Sequence, residues 1–246
     1  MIKIFFLFLL LLTADRILAQ DPEGNTVLDP VSEADGMFSL NVSLPSSSMK
    51  ELTRNNMFGS GIGGTFLYLS NPATWGKRNN NSMIRIGGEL GYTYFGRFIT
   101  DANINGYSGD YKTSYGIAHL NAVLRLRPAS IQPVVPFADL FVGGNFYFST
   151  IKENLNAIET SLGLESIDFG GTTSASFVKG VGAGISFGSR NPSKTRFILR
   201  ATYTRGRSLR YIVRNSLQYD PSRNALIYQT AQAPIEYLLI QIGVGL

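Results

Sequence analysis

TSYGIAHLNAVLRLR, residues 113–127, is the stretch whose reading decides the fold. Ala118, Leu120, Ala122, Leu124 and Leu126 occupy every second position, and His119, Asn121, Arg125 and Arg127 fall between them. A period of two places the apolar set on one face of an extended strand and the polar set on the other, whereas a helix would mix them.

Outward from that stretch the same period recurs. Eight runs carry it, at 37–44, 58–69, 83–97, 113–127, 134–148, 174–187, 195–205 and 235–246. In the third, Ile84, Ile86, Leu90, Tyr92 and Tyr94 oppose Arg85, Glu89 and Thr93. In the fifth, Leu140, Val142, Phe146 and Phe148 oppose Asp139, Asn145 and Tyr147. In the seventh, Phe197, Leu199, Ala201 and Tyr203 oppose Arg196, Arg200, Thr202 and Thr204. In the eighth, Leu238, Ile240, Ile242, Val244 and Leu246 oppose Gln241. The sixth breaks the rule, because Lys179 falls on its apolar face and calls for a bulge or a snorkelling side chain.

Several runs are long for globular strands and suit tilted membrane strands. The connections 45–57, 98–112, 149–173 and 206–234 are long, and 70–82, 128–133 and 188–194 are shorter, in strict alternation. That asymmetry belongs to up-and-down membrane barrels. The expected fold is therefore all-β, an eight-stranded antiparallel up-and-down transmembrane barrel. A soluble barrel would turn the apolar face inward. Strand length, loop alternation and aromatics near strand ends (Phe38, Tyr68, Tyr94, Phe148, Phe187, Tyr203) favour lipid outside.

Composition fits this reading. The 246 residues include 26 glycines and no cysteine, which excludes disulfides, thiolate metal sites and cysteine nucleophiles. His119 is the one histidine, so two-histidine mechanisms are excluded as well. Met1-Ile2-Lys3 followed by the apolar run Ile4 to Leu12 reads as a signal peptide over 1–20, too short to span a membrane as a helix. Residues 21–36 hold Asp21, Glu23, Asp29, Glu33 and Asp35 and no base, an acidic periplasmic segment ahead of a barrel at 37–246. The net charge is +5, but an exported chain rarely meets nucleic acid, so no nucleic-acid partner is expected. The arginines are read against lipid phosphates and internal carboxylates.

Three motifs fit other chemistries in letter only. Gly59-x-Gly61-x-x-Gly64 spells the dinucleotide fingerprint, but TFLYL after it is a strand sequence where a helix is required. Asp101-x-Asn103-x-Asn105-Gly106 begins like a calcium loop, yet position twelve is Lys112 rather than a bidentate Glu. His119 with Ser114 or Asp139 suggests a hydrolase, but no nucleophile–base–orienter set stands out. No cofactor and no metal is expected.

The glycine-rich strand IRIGGELGYTYFGR (84–97), the hairpin RLRP…QPVVPFADLFVGGNFYF (125–148) and the strand YLLIQIGVGL (237–246) carry a resemblance. Through them the mature chain resembles the small eight-stranded outer-membrane β-barrel proteins of Gram-negative bacteria, the OmpA/OmpX-like, "outer membrane protein beta-barrel domain" type. The resemblance implies a cell outer-membrane location. Such barrels commonly end in Phe, whereas this chain ends in Leu246.

An eight-stranded interior is just wide enough for side chains to fill it. Arg85, Glu89, His119, Asn121, Arg125, Asp139, Asn145, Arg196, Arg200 and Gln241 are thus expected to form a polar network that locks the lumen, with Arg127 beside them. The arginine excess suggests that the acidic segment lies at the periplasmic mouth. Outside, Glu153, Glu159, Glu165 and Asp168 make an acidic loop in which Leu155, Ile158 and Leu162 suggest a short helix. Arg207, Arg210, Arg214 and Arg223 make a basic loop, with a hairpin of 209–215 and 224–230 turning at Asp220-Pro221. Expected partners are outer-membrane lipid and lipopolysaccharide, and an envelope protein. The expected role is a non-enzymatic structural or interaction component; the alternatives are a narrow channel for ions or small solutes, and then a lipid-modifying enzyme.

Overall fold

The computed structural model describes residues 34–46, 49–50, 60–72, 83–104, 107–128, 134–153, 168–188, 196–213, 216–220, 222 and 225–245. The leader, most of the acidic segment, Glu159, Glu165, Arg214, Arg223 and the helix expected at 155–162 lie outside them.

Eight strands close a barrel: β1 (Ala34–Pro45), β2 (Gly61–Ser70), β3 (Ile84–Ile104), β4 (Tyr107–Leu126), β5 (Val134–Glu153), β6 (Asp168–Gly188), β7 (Arg196–Ile212) and β10 (Thr230–Gly245). Each pairs antiparallel with its neighbour in the ring, and β1 seals against β10 in a register running from Met37↔Gly245 to Pro45↔Tyr237. Two short strands between β7 and β10, β8 (Gln218–Asp220) and β9 (Ala225–Ile227), form a separate hairpin. The hairpin expected in this connection exists, but its two arms lie inside different bounds: residues 209–212 continue β7.

The barrel wall is uneven in height. β1 has 12 residues and β2 has 10, about what a tilted strand needs to cross a bilayer, whereas β3 and β6 have 21 and β4 and β5 have 20. β3 pairs with β2 only up to Tyr94 but with β4 up to Ile104↔Tyr107. Residues 98–112, expected as a long loop, are therefore mostly strand. Asn105-Gly106 is the dipeptide that tight hairpins prefer, and the β-branched and aromatic residues beside it suit a ladder. A bulge between Tyr94 and Gly96 (φ 106°) marks the height at which β3 leaves β2 behind. Only a glycine adopts that φ readily, and the extra residue lets Phe95 turn inward.

Inward-facing residues stack in layers. Toward the end with the short connections lies an apolar layer of Met37, Leu67, Leu69, Val123, Phe137, Phe141 and Ile198. Above the charged layer, Phe95, Tyr115, Ile117, Tyr147, Leu209, Tyr237 and Leu239 form a second apolar layer. Met49, from the connection after β1, is fully buried within it, and its sulfur accepts from the Glu236 amide at 3.1 Å. Tyr111, Ile151, Ile212 and Leu217 close the tall end. The glycines of β6 make room for this filling: a Cβ at Gly184 would collide with the Phe137 ring.

Candidate functional site

The charged layer is built by alternation. Glu89 on β3, His119, Asn121 and Arg125 on β4, Asp139 on β5, Arg200 on β7 and Gln241 on β10 all point inward and are all at most 5% exposed. Arg125 grips Asp139 with both prongs, Nε to Oδ1 at 2.7 Å and Nη2 to Oδ2 at 2.9 Å. Arg200 adds Nε to the same Oδ2 at 2.6 Å. Its Nη1 donates to Glu89 Oε2 and, at 2.9 Å, to Gln241 Oε1. Asn121 donates to the other Glu89 oxygen at 3.0 Å. Two carboxylates are thus held by two guanidiniums, the condition under which buried charge is tolerable. The Arg125 guanidinium also lies 3.8 Å above the Phe137 ring, joining the charged layer to the apolar one below.

The sequence-predicted network divides in three. Asn145 sits higher and donates to the Tyr237 hydroxyl at 3.0 Å. Arg85 and Arg127 gather at the short-connection mouth around Asp35, at 3.7 Å and 3.1 Å. Arg196 begins β7 at that same end and is half-buried. Asp35, expected in a segment ahead of the barrel, lies within β1 and meets two arginines of the mouth. Its place was readable: Asp35, Met37, Ser39, Asn41 and Ser43 share one parity. Asn41 in turn donates to Thr65 at 2.9 Å and accepts from Thr93 at 3.3 Å, a second small network that sequence reasoning missed.

His119 Nε2 lies 3.6 Å from Glu89 Oε1, in the space that Gly91 opens opposite it. Ser114 stands on the other parity of β4, and Asp139 is occupied by both arginines. Neither is placed to work with His119. Gly61 and Gly64 lie in β2, which runs on as strand to Ser70 where the fingerprint requires a helix, and Asp101 faces Asp110 across the β3–β4 ladder rather than curling into an ion loop.

The outer face is apolar. Leu40 is 67% exposed, Ile242 66%, Leu90 59% and Leu120 56%, and the six strand-end aromatics all face out. Arg200 at 1% and Asp139 at 1% are inside. Such polarity is unstable in water and favourable in hydrocarbon, where a closed barrel satisfies every backbone group. The chain is a membrane-spanning barrel.

Its architecture is a closed, antiparallel, eight-stranded barrel. The barrel is similar to neisserial surface protein A (12% identity, 87% of this chain and 97% of that one, TM-score 0.44). It is similar also to a major outer membrane protein of Thermus thermophilus (10%, 86% and 98%, 0.46). A third is Ail of Yersinia pestis, whose structure is a complex with the heparin analogue sucrose octasulfate (12%, 87% and 100%, 0.38). No family model and no curated protein matches the chain.

Arg207 and Arg210 belong to β7 and are exposed on the exterior; Glu153 ends β5 on the inward parity of Ile151, and Asp168 begins β6. The backbone pairs Lys152 with Asp168. Lys179, which the sequence places on the apolar face, stands in an outward row that sequence reasoning missed, in register with Arg205 on β7 and through it with Glu236 on β10.

Proposed function

We propose that the protein is an integral component of the bacterial outer membrane whose interior is structural and whose work is done at its surface. It is neither a channel nor an enzyme in this reading. The observation that carries it is the Arg200 bridge, which joins β7 to Glu89 on β3, the strand opposite in the ring, through a layer sandwiched between two apolar ones. An ion following the axis would have to break charge pairs and part packed aromatics. The tall end, with the β3–β6 wall, faces the outside, and the short connections face the periplasm. The wall and the β8–β9 hairpin, which rests against β3, offer the surface for an envelope protein. Exposed Arg207 and Arg210 suit the phosphates of outer-leaflet glycolipid.

Two measurements test this. Purified protein in planar bilayers should give no reproducible open events, and stepwise conductance would sink the filled-lumen reading. Carbonate-washed membranes should retain the protein until detergent is added, and release without detergent would sink the membrane placement.

A further inference from the structure

Lys179 is the cation that the apolar outer face should not contain. It alternates outward on β6 between Phe177, 60% exposed, and Val181, 49% exposed, and its register partner on β5 is Val142, 49% exposed. Its register with β5 is unbroken, and its pairing with β7 holds up to Val178↔Gly206, where that ladder ends, so no bulge in β6 turns it away. Snorkelling would account for Lys179 alone. It does not account for the residue across the ladder. Lys179 pairs directly with Arg205 of β7, and both are exposed on the outer face. Like charges directly opposite on adjacent strands repel, and beside hydrocarbon the repulsion is less screened than in water.

The protein neutralises the pair only in part: Glu236 stands opposite Arg205 on β10, leaving two cations against one carboxylate along the row. Among the described residues neither Lys179 nor Arg205 forms an ion pair. Glu236, next in register to Arg205, accepts instead from the Tyr203 hydroxyl. Farther along β7 toward the tall end, Arg207 and Arg210 continue the line of exposed cations.

We propose that Lys179 and Arg205 form a site on the barrel's outer wall for a phosphate carried by a membrane lipid headgroup. A phosphate set between them relieves the repulsion, because its oxygens accept from an ammonium and from the fork of a guanidinium together. A lipid is the occupant because Val181 and Leu199, toward the short connections, face acyl chains while Arg207 and Arg210 lie toward the tall end, so the pair stands where the apolar wall gives way to charge, the level of a headgroup phosphate. Arg207 and Arg210 then lie on the path from this site to the headgroup region's outer edge. The proposal rests on the membrane placement above.

The test is native mass spectrometry of the full-length protein in detergent, titrated with diphosphorylated lipid A, with its dephosphorylated form, and with inorganic phosphate. Lipid A should bind, and K179Q/R205Q should weaken it by roughly tenfold to thirtyfold, at about fivefold for each cation near a charged membrane surface. R97Q, on the far wall, should leave binding unchanged. Equal affinity in K179Q/R205Q overturns the site, and so does equal binding of dephosphorylated lipid A. Inorganic phosphate that binds as tightly as lipid A overturns the lipid assignment. Heat-modified gel mobility verifies that the variants are folded, and K179Q or R205Q alone replaces the double variant if it is not. A wild-type protein released from membranes without detergent defeats the placement itself; an embedded protein with variant-independent lipid affinity defeats only the site.

Discussion

Arg200 and Glu89 stand on strands four places apart in a ring of eight, β7 and β3, and the arginine Nη1 donates to the glutamate Oε2 across the full width of the lumen. The same guanidinium holds Asp139 on β5 and Gln241 on β10. One side chain therefore ties four strands together at a single level. Its loss should be the costliest single change in the interior.

Arg200→Met leaves Glu89 without its cation and Asp139 with Arg125 alone. Breaking a buried pair from one side costs about 3–5 kcal/mol. Urea unfolding in phospholipid vesicles, followed by heat-modified gel mobility, should register a loss of that size. Glu89→Gln in the Arg200→Met background should recover part of it, since the second substitution removes the stranded charge. A double variant as unstable as the single one would mean that packing, not pairing, sets the cost.

Gly91 carries the His119 ring. A Cβ there would run into ring atoms of His119 and lie 2.7 Å from Thr65 Oγ1. Gly91→Ala should therefore destabilise by about 1–3 kcal/mol through overpacking. His119→Ala in the same chain should relieve most of that loss. The compensation is measurable as a double-mutant cycle, and additivity would refute the contact.

The outer face tolerates charge according to depth. Leu120 is 56% exposed and mid-strand, in register with Leu90 and Gly144, so Leu120→Arg should cost about 2–4 kcal/mol in vesicles. The same variant in zwitterionic detergent, where a micelle deforms around the charge, should lose less. Equal losses in the two media would argue that Leu120 does not face acyl chains.

At the tall end, Asp101 and Asp110 oppose each other across the β3–β4 ladder, and the hydrogen bond with Asp110 together with its charge holds the Asp101 carboxyl above the ordinary carboxylate range. A group whose folded pKa is raised favours the folded hairpin in its protonated form. Pairing at this tip is thus firmest below the ordinary value and loosens as pH rises through the raised one. Amide exchange at Ile99 and Thr100, corrected for intrinsic rate, should show that loosening between acidic and neutral pH. Asp110→Asn should flatten the profile.

Period two placed eight strands and told inside from outside over most of 84–94, 113–126, 134–148, 196–205 and 235–245, while the strand continuations above them were read as loops. It could not tell height. Arg85, Arg125, Arg127 and Arg200 share one face in the sequence, yet Arg85 and Arg127 meet Asp35 at the mouth while Arg125 and Arg200 meet Asp139 in the middle. Height depends on strand tilt and on the register between strands, which no single strand encodes. The apolar plugs escaped for another reason. Leu67, Phe137 and Phe141 sit inward, so in the lumen's apolar layers both faces of a strand are hydrophobic and alternation fades. Asn105-Gly106 was legible as a hairpin signal, but its neighbours Asp101 and Asn103 invite a calcium-loop reading that conceals it.

The seam between β1 and β10 joins segments from opposite ends of the chain, Met37 against Gly245 and Leu44 against Leu238. Contacts so distant in sequence are entropically slow to form, which by itself would let an unsealed sheet persist as an intermediate. The interior makes that intermediate unattractive. While the sheet is open, Glu89 and Arg200 are apart, and Gln241 and Asp139 do not share one guanidinium. Their union requires that the sheet curl until opposite walls meet, which is the same motion that brings β1 to β10. Assembly should accordingly be all-or-none: the last seam and the central bridge form together.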